Sequence, residues 1–280
     1  MSTDTLTTED APTPTDPHRH RWVSVLVTTL GALLVAGLVI QALGFGLSGG
    51  GGTRDDSYSA AVDGVTEVDI DVSVGDLTVT FAPVSEATLD VRTTGWRTAR
   101  GWTFEVDGDR LVVRDDDRSW FWPSFGRART VGELVLPSSL EGEVSAHLNV
   151  SAGEIRFDGD VTDATIDVSA GSLTFVGAST SLTATVSAGD ATVVTSDPST
   201  ISVDVSAGRF TGTVTGEAPT STRVQVSAGD AVLDLPDAAY LLSGTVSAGD
   251  RTIDVRTDPA SEHTLHVDVS AGDATIGYSA

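Results

Sequence analysis

Eight side chains that each follow a recurrent glycine form the most regular set of candidate ligands in this 280-residue chain: Asp76, Glu154, Ser172, Asp190, Arg209, Asp230, Asp250 and Asp273. If they stack in register, neighbouring carboxylates lie about 5 Å apart, where even bulk water leaves roughly 0.8 kcal/mol of repulsion per pair. Arg209 falls between Asp190 and Asp230, and Ser172 between Glu154 and Asp190, which relieves part of that repulsion. The run Asp230, Asp250, Asp273 remains, an oxygen-rich column of the kind that calcium takes. The Gly-Gly-x-Gly-x-Asp units of a calcium β-roll are missing, however, and an aspartate at a turn also bonds its own backbone. The column therefore reads as turn-forming residues, and no metal or other cofactor is expected.

Two further groups have chemical character. The positions two, four and six before each glycine are polar: Ser151, Asn149 and His147 in one copy, Ser169, Asp167 and Thr165 in the next, and Ser270, Asp268 and His266 in the last. Stacked, they make either the solvated face of a half-buried strand or a flat hydroxyl-rich surface for a sugar or another regular polymer. The second group is aromatic and cationic: Trp96, Arg97, Arg100, Trp102, Arg110, Arg114, Arg118, Trp120, Phe121, Trp122, Phe125, Arg127 and Arg129. Four of the five tryptophans lie there, so the segment either covers the end of a hydrophobic core or forms an exposed loop for a partner, a glycan or a membrane leaflet. Of this group, Trp96, Arg97, Trp102, Arg118, Trp120, Phe121, Trp122, Phe125 and Arg127 are the candidate interaction surface. No His-Glu-x-x-His or P-loop occurs, and the glycine-spaced matches at Gly44 to Gly50 sit where the apolar run meets the glycine-rich tether rather than on a strand-to-helix turn, so no enzymatic activity is expected.

The elements that must position these residues are set by a repeat. Ser-Ala-Gly recurs on Gly153, Gly171, Gly189, Gly208, Gly229, Gly249 and Gly272, with a Ser-Val-Gly copy at Gly75; the spacings run 18, 18, 19, 21, 20 and 23 from Gly153 onward. A period near twenty marks a solenoid. Around each glycine the apolar residues fall at offsets −7, −5, −3, −1, +2 and +4, as in Ala164, Ile166, Val168, Ala170, Leu173 and Phe175 about Gly171. Alternation is a strand with one buried face, and the change of parity between −1 and +2 is a corner. Glycine suits a corner because it accepts positive φ. Polar stretches such as Thr195 to Thr200 and Gly216 to Thr220 are the return turns. The spacing thus predicts an all-β, single-domain β-solenoid of about eleven coils over residues 58–280, on the order of 50 Å long at about 4.8 Å per coil. Gly75 and Gly153 are 78 residues apart, so the interval is expected to continue the coil through about four degenerate periods.

Ahead of the repeat the chain changes character. Residues 1–21 begin with a Thr-, Asp- and Pro-rich stretch, without apolar periodicity, that reads as a disordered tail. Residues 22–47 are uncharged and mostly apolar, longer than the roughly 20 residues a helix needs to cross a bilayer. Arg19 and Arg21 precede this run while Arg54 after it is offset by Asp55 and Asp56, which places the N-terminus in the cytoplasm and the repeat outside. A cleaved signal sequence is the rival reading; its apolar region would be about 7–15 residues and would lead to a small-residue cleavage site, and no Ala-x-Ala follows here. Residues 48–57, with four glycines in a row, read as a tether. The net charge of −24, with arginine as the only cationic side chain and no cysteine, excludes phosphate-tracking nucleic-acid binding and disulfide or thiolate chemistry.

The repeated V-S-A-G-D corner, the D-G-D-R-L-V-V and F-G-R-A-R-T-V-G-E-L-V-L-P segments and the single N-terminal span resemble bacterial β-strand-repeat proteins called "putative adhesins", a family of unknown function. The resemblance covers about residues 60–280. It implies a β-solenoid at the cell envelope and supplies no catalytic residues. The expectation is a membrane-anchored, adhesin-like or structural envelope module, held through residues 22–47 and meeting a cell-wall polymer, glycan or envelope protein. A sensor that signals through its membrane helix is the alternative.

Overall fold

A computed structural model describes residues 53–94, 101–115 and 129–279. They hold twenty-two strands and one 3-10 turn, Ser138–Leu140. The strands are β1 Thr53–Ala60, β2 Glu67–Val72, β3 Asp76–Ala82, β4 Ala87–Thr94, β5 Trp102–Asp107, β6 Arg110–Asp115, β7 Arg129–Pro137, β8 Ser145–Val150, β9 Glu154–Asp158, β10 Asp163–Val168 and β11 Ser172–Ala178. The second half continues with β12 Ser181–Val186, β13 Asp190–Ser196, β14 Thr200–Val205, β15 Arg209–Thr215, β16 Ser221–Val226, β17 Asp230–Leu235, β18 Ala239–Ser243, β19 Asp250–Ile253, β20 Arg256–Thr257, β21 Thr264–Val269 and β22 Asp273–Tyr278.

Two eleven-stranded sheets result. The strand before each glycine enters a leading sheet, ordered β20-β18-β21-β16-β14-β12-β10-β8-β2-β6-β5, and the strand after it enters a trailing sheet, ordered β1-β4-β7-β3-β9-β11-β13-β15-β17-β22-β19. The chain passes from one sheet to the other at every corner, and each coil pairs parallel with its neighbours, as β10 does with β8 and β12, and β11 with β9 and β13. This is a β-solenoid-like winding. Alternation buries one face of each strand, so Ile70, Leu148, Ile166, Val203 and Val267 of the leading sheet meet Val79, Phe157, Phe175, Val193 and Leu233 of the trailing sheet in one continuous core.

The corner departs from expectation in two ways. The alanines at offset −1, such as Ala152, Ala170, Ala188, Ala207, Ala228 and Ala271, are exposed: the chain leaves the core after the valine at −3 and returns at +2, so Ser-Ala-Gly bulges outward. Positive φ is also not the shared reason for glycine; it occurs at Gly75, Gly249 and Gly272 but not at Gly153, Gly171, Gly189, Gly208 or Gly229. What those five share is crowding. A Cβ on any of them would overlap the backbone oxygen of the corner glycine one coil before, because Ser, Ala and the residue after Gly each donate an N–H to that earlier corner. Ser187, Ala188 and Asp190, for example, bond Val168 O, Ser169 O and Gly171 O at 2.8, 2.8 and 3.0 Å.

Coil order also differs from sequence order at both ends. The Gly75 coil (β2, β3) lies directly beside the Gly153 coil (β8, β9), so the interval between them does not fill four intermediate coils. Instead β6 and β7 form one more coil beyond β2 and β3, and β5, β4 and β1 fold back antiparallel upon it. Nine two-strand coils are therefore present among the described residues, fewer than eleven, since part of the length is spent on these hairpins. At the other end the last coil in sequence (β21, β22) lies between the Gly229 coil and the Gly249 coil. The outermost coil is thus that of Gly249, and Tyr278 does not lie on an edge strand. Strand β1 begins at Thr53, so the last residues of the expected tether are part of a sheet. The expected membrane helix at 22–47 lies outside the described residues; among those described, no helix is long and apolar enough to cross a membrane.

Candidate functional site

Because parallel strands stack in register, every offset from the glycine becomes a row that runs across coils. On the outer face of the trailing sheet, Thr174, Thr192 and Thr211 are consecutive partners, as are Val176, Val194 and Thr213 two residues further along. Val176 and Val194 are 40% and 38% exposed. On the outer face of the leading sheet, His147, Thr165, Thr183, Ser202, Arg223 and His266 form one row, and Ser145, Asp163, Ser181, Thr200, Ser221 and Thr264 form another. Neighbours within a row are about 4.8 Å apart across coils, and adjacent rows, two residues apart along a strand, about 7 Å. The trailing face is therefore a lattice of hydroxyl and methyl groups with a fixed repeat, and the leading face a hydroxyl lattice interrupted by His147, Asp163, Arg223 and His266.

The corner side chains also stack, in the order Asp76, Glu154, Ser172, Asp190, Arg209, Asp230, Asp273, Asp250. Arg209 pairs with Asp230 at 3.4 Å, Arg156 with Glu154 at 3.2 Å and Arg129 with Asp76 at 2.7 Å. The Asp250 N–H donates to Asp273 Oδ1 at 3.1 Å. Among the described residues no three acidic or imidazole groups converge as a metal site requires.

The aromatic and cationic segment divides. Trp96, Arg97, Arg118, Trp120, Phe121, Trp122, Phe125 and Arg127 lie outside the described residues. Trp102 is 5% exposed; its ring lies over Gly132, where a Cβ would come within 3.6 Å of it, so it covers the core end. Arg110 and Arg114 pair with Glu67 and Asp69 at 2.9 and 2.7 Å, and Arg129 pairs with Asp76, so these three cations are engaged within the fold.

One residue that shapes the end of the stack escaped sequence reasoning. Asp115 takes the register position of the valine at −3, next to Val72, and is buried. Its two carboxylate oxygens accept the N–H groups of Ser73 and Val74 at 2.6 and 2.8 Å. In the seven other glycine-cornered coils the equivalent N–H groups bond the corner of a neighbouring coil; here the carboxylate takes its place. The signal available in sequence was only an acid ending an apolar strand, L-V-V-R-D.

No protein-family model matches the chain, and no curated protein matches it. Solved structures similar to it include a "putative cell adhesion protein" from Clostridium sporogenes (11% identity, 81% of this chain and 100% of that chain, TM-score 0.38), a "putative adhesin" from Bacteroides fragilis (12%, 80% and 97%, 0.40) and a "putative adhesin" from Parabacteroides distasonis (11%, 80% and 97%, 0.36).

Proposed function

We propose that the chain is an adhesin-like module of the bacterial envelope, anchored in the membrane by residues 22–47 with the solenoid outside, and that its outer sheet faces bind a regular polymer of the cell wall or a glycan. The observation that supports this reading is the register of the rows: Thr174, Thr192 and Thr211 beside Val176, Val194 and Thr213. A flat array with a repeat of about 4.8 Å offers hydroxyls to hydroxyls and methyls to ring faces at constant intervals, which suits a ligand that itself repeats. Residues Arg19 and Arg21 beside the apolar run support the orientation.

The test is co-sedimentation of the full-length protein, kept in detergent, with purified cell wall. Wall retention is expected, weakened about tenfold, the equivalent of 1.4 kcal/mol, by the pair Thr174→Glu and Thr192→Glu. No retention by wall or by soluble wall polysaccharide would sink the reading. Protease added to intact protoplasts should digest the solenoid and spare the tail.

A further inference from the structure

On the outer face of the leading sheet, next to the open edge of the stack, three side chains from two coils form a connected chain. Ser243 Oγ lies 2.9 Å from His266 Nδ1, and His266 Nε2 lies 2.7 Å from Asp268 Oδ2. The second carboxylate oxygen of Asp268 accepts the N–H and the hydroxyl of Thr245 at 2.8 and 2.9 Å. Ser243 and His266 are partners in the parallel register of β18 and β21, and His266 and Asp268 project from the same face of β21 as residues two apart. We propose that Ser243, His266 and Asp268 form a hydrolytic triad that cleaves small acyl esters.

Each role follows from what the side chain touches. Asp268 receives the Nε2 proton side of the ring, which fixes the tautomer with Nδ1 unprotonated and turned toward the Ser243 hydroxyl; the same division of labour defines Ser-His-Asp catalysis on unrelated folds. The Thr245 bonds, first of all, and then His266 hold the Asp268 carboxyl below the usual carboxylate range, so the orienting group stays anionic. Ser243 is exposed and His266 half-buried, so an ester reaches the hydroxyl without a lid or channel. The residue after Ser243 is Gly244, at φ +111, whose N–H enters no backbone bond among the described residues. An N–H directly after the nucleophile is a standard oxyanion donor. Elsewhere in these rows the pattern breaks: His147 faces Glu67 at 3.6 Å and has Thr165 as its register partner on the next coil.

The reaction balances without any cofactor. Ser243 Oγ attacks the ester carbonyl and passes its proton to His266 Nδ1. Collapse of the tetrahedral intermediate leaves an acyl ester on Ser243, and the alcohol departs with the proton from His266. Water then attacks the acyl group, its proton goes to His266 and on to Ser243, and a carboxylic acid leaves. Ser243, Thr245 and Val246 are exposed on an open face, so the acyl group assigned to the site is small, such as acetyl. That the natural ester is borne on a polymer rests on the wall-binding reading, since the row Ser202, Arg223, His266, Ser243 leads along the sheet to the nucleophile; the reactivity of Ser243 does not.

The test uses the full-length chain with 4-nitrophenyl acetate and, separately, a fluorophosphonate probe. Expected are acetate release, and a single labelled peptide containing Ser243. Ser243→Ala should abolish both, and His266→Gln should slow labelling by about 10²-fold or more, with an unchanged β-sheet circular dichroism spectrum in each. Wild-type protein whose Ser243 stays unlabelled, or labelling that survives His266→Gln at the same rate, would overturn the proposal. Retention of wall binding by Ser243→Ala would separate the two readings: the wall assay can fail while the label succeeds, and the reverse.

Discussion

A Cβ placed on Gly189 would overlap Gly171 O and come within 2.6 Å of Val168 Cγ1, and backbone on one side leaves nothing able to yield. Gly189→Ala is therefore expected to destabilise the fold by about 2 kcal/mol or more, whereas Ala188→Ser, one residue earlier on the exposed bulge, should change stability by no more than about 0.5 kcal/mol; urea unfolding of both variants checks the contrast. Thr222 gives the opposite sign. It stands between Ile201 and Leu265 in an apolar row, is buried, and its hydroxyl has no partner. Thr222→Val keeps the shape and removes the orphan, so a gain of about 1 kcal/mol is expected, and an unchanged or lowered urea midpoint would refute it. Tyr240 sets a pH limit. Fully buried, with its hydroxyl donating to Pro236 O at 2.9 Å, it has its pKa pushed by burial from 10.0 up to about 12. The neutral ring is favoured by folding, so its contribution is complete below pH 10 and is lost as pH rises from 10 toward 12, and Tyr240→Phe should flatten that fall in a stability-against-pH curve. The corner glycines were plain in the sequence, but their cause was not: crowding is a property of two corners at once, while a single copy shows only a residue permissive of turns.

Strands β8 to β17 were legible because each copy repeats the same alternation and the register follows once the glycines align. Strands β4 to β7 were not. Their alternating pattern is equally clear, as in Leu89 and Val91, or Leu134 and Leu136, yet alternation does not distinguish a parallel coil from an antiparallel hairpin, and here the two are mixed within one sheet. The difference matters because the Ser73 and Val74 N–H groups of the Gly75 corner need the acceptors that a neighbouring glycine corner supplies in the other coils. Asp115 fills that need, and Asp115→Ala should cost about 1–3 kcal/mol by leaving the Ser73 and Val74 N–H groups unanswered. Hydrogen exchange at those two amides should rise more than at Ser187 or Ala188; uniform change across all four would argue that the carboxylate does not cap the corner. The far end uses a different device. Arg251 occupies the inward +2 position that Ala274 and Ala231 hold in the coils beneath, and its guanidinium donates to Val267 O at 3.1 Å. An inward charge on an edge coil discourages another sheet from continuing the stack.

For the whole molecule, stability is a sum of coil-to-coil contacts, so the consequence of losing a coil depends on where it sits. Deleting residues 264–280 removes β21 and β22, which lie inside the stack, and leaves the Gly249 coil only a mismatched seat on the Gly229 coil; reduced protection is therefore expected across residues 239–257, and limited proteolysis should cut there faster in the truncated chain than in the full-length one. Intact protection of that stretch would contradict the observed order. The candidate surfaces were half legible in the same sense: outward polar rows could be read directly, and His266 and Asp268 were placed on one of them, but Ser243 was hidden because the Gly249 copy, L-L-S-G-T-V, breaks the alternation at Gly244. The order of the last two coils carries a consequence for synthesis. The Gly249 segment emerges before the segment that must lie beneath it, and it bears the same Val-Ser-Ala-Gly-Asp corner, so it can dock on the Gly229 coil first. Completion then requires that early docking to be released and the later segment to be wedged in. Such a chain has a built-in late, slow step, and the time it spends with the wrong neighbour, rather than its final stability, would set how often it is lost to aggregation.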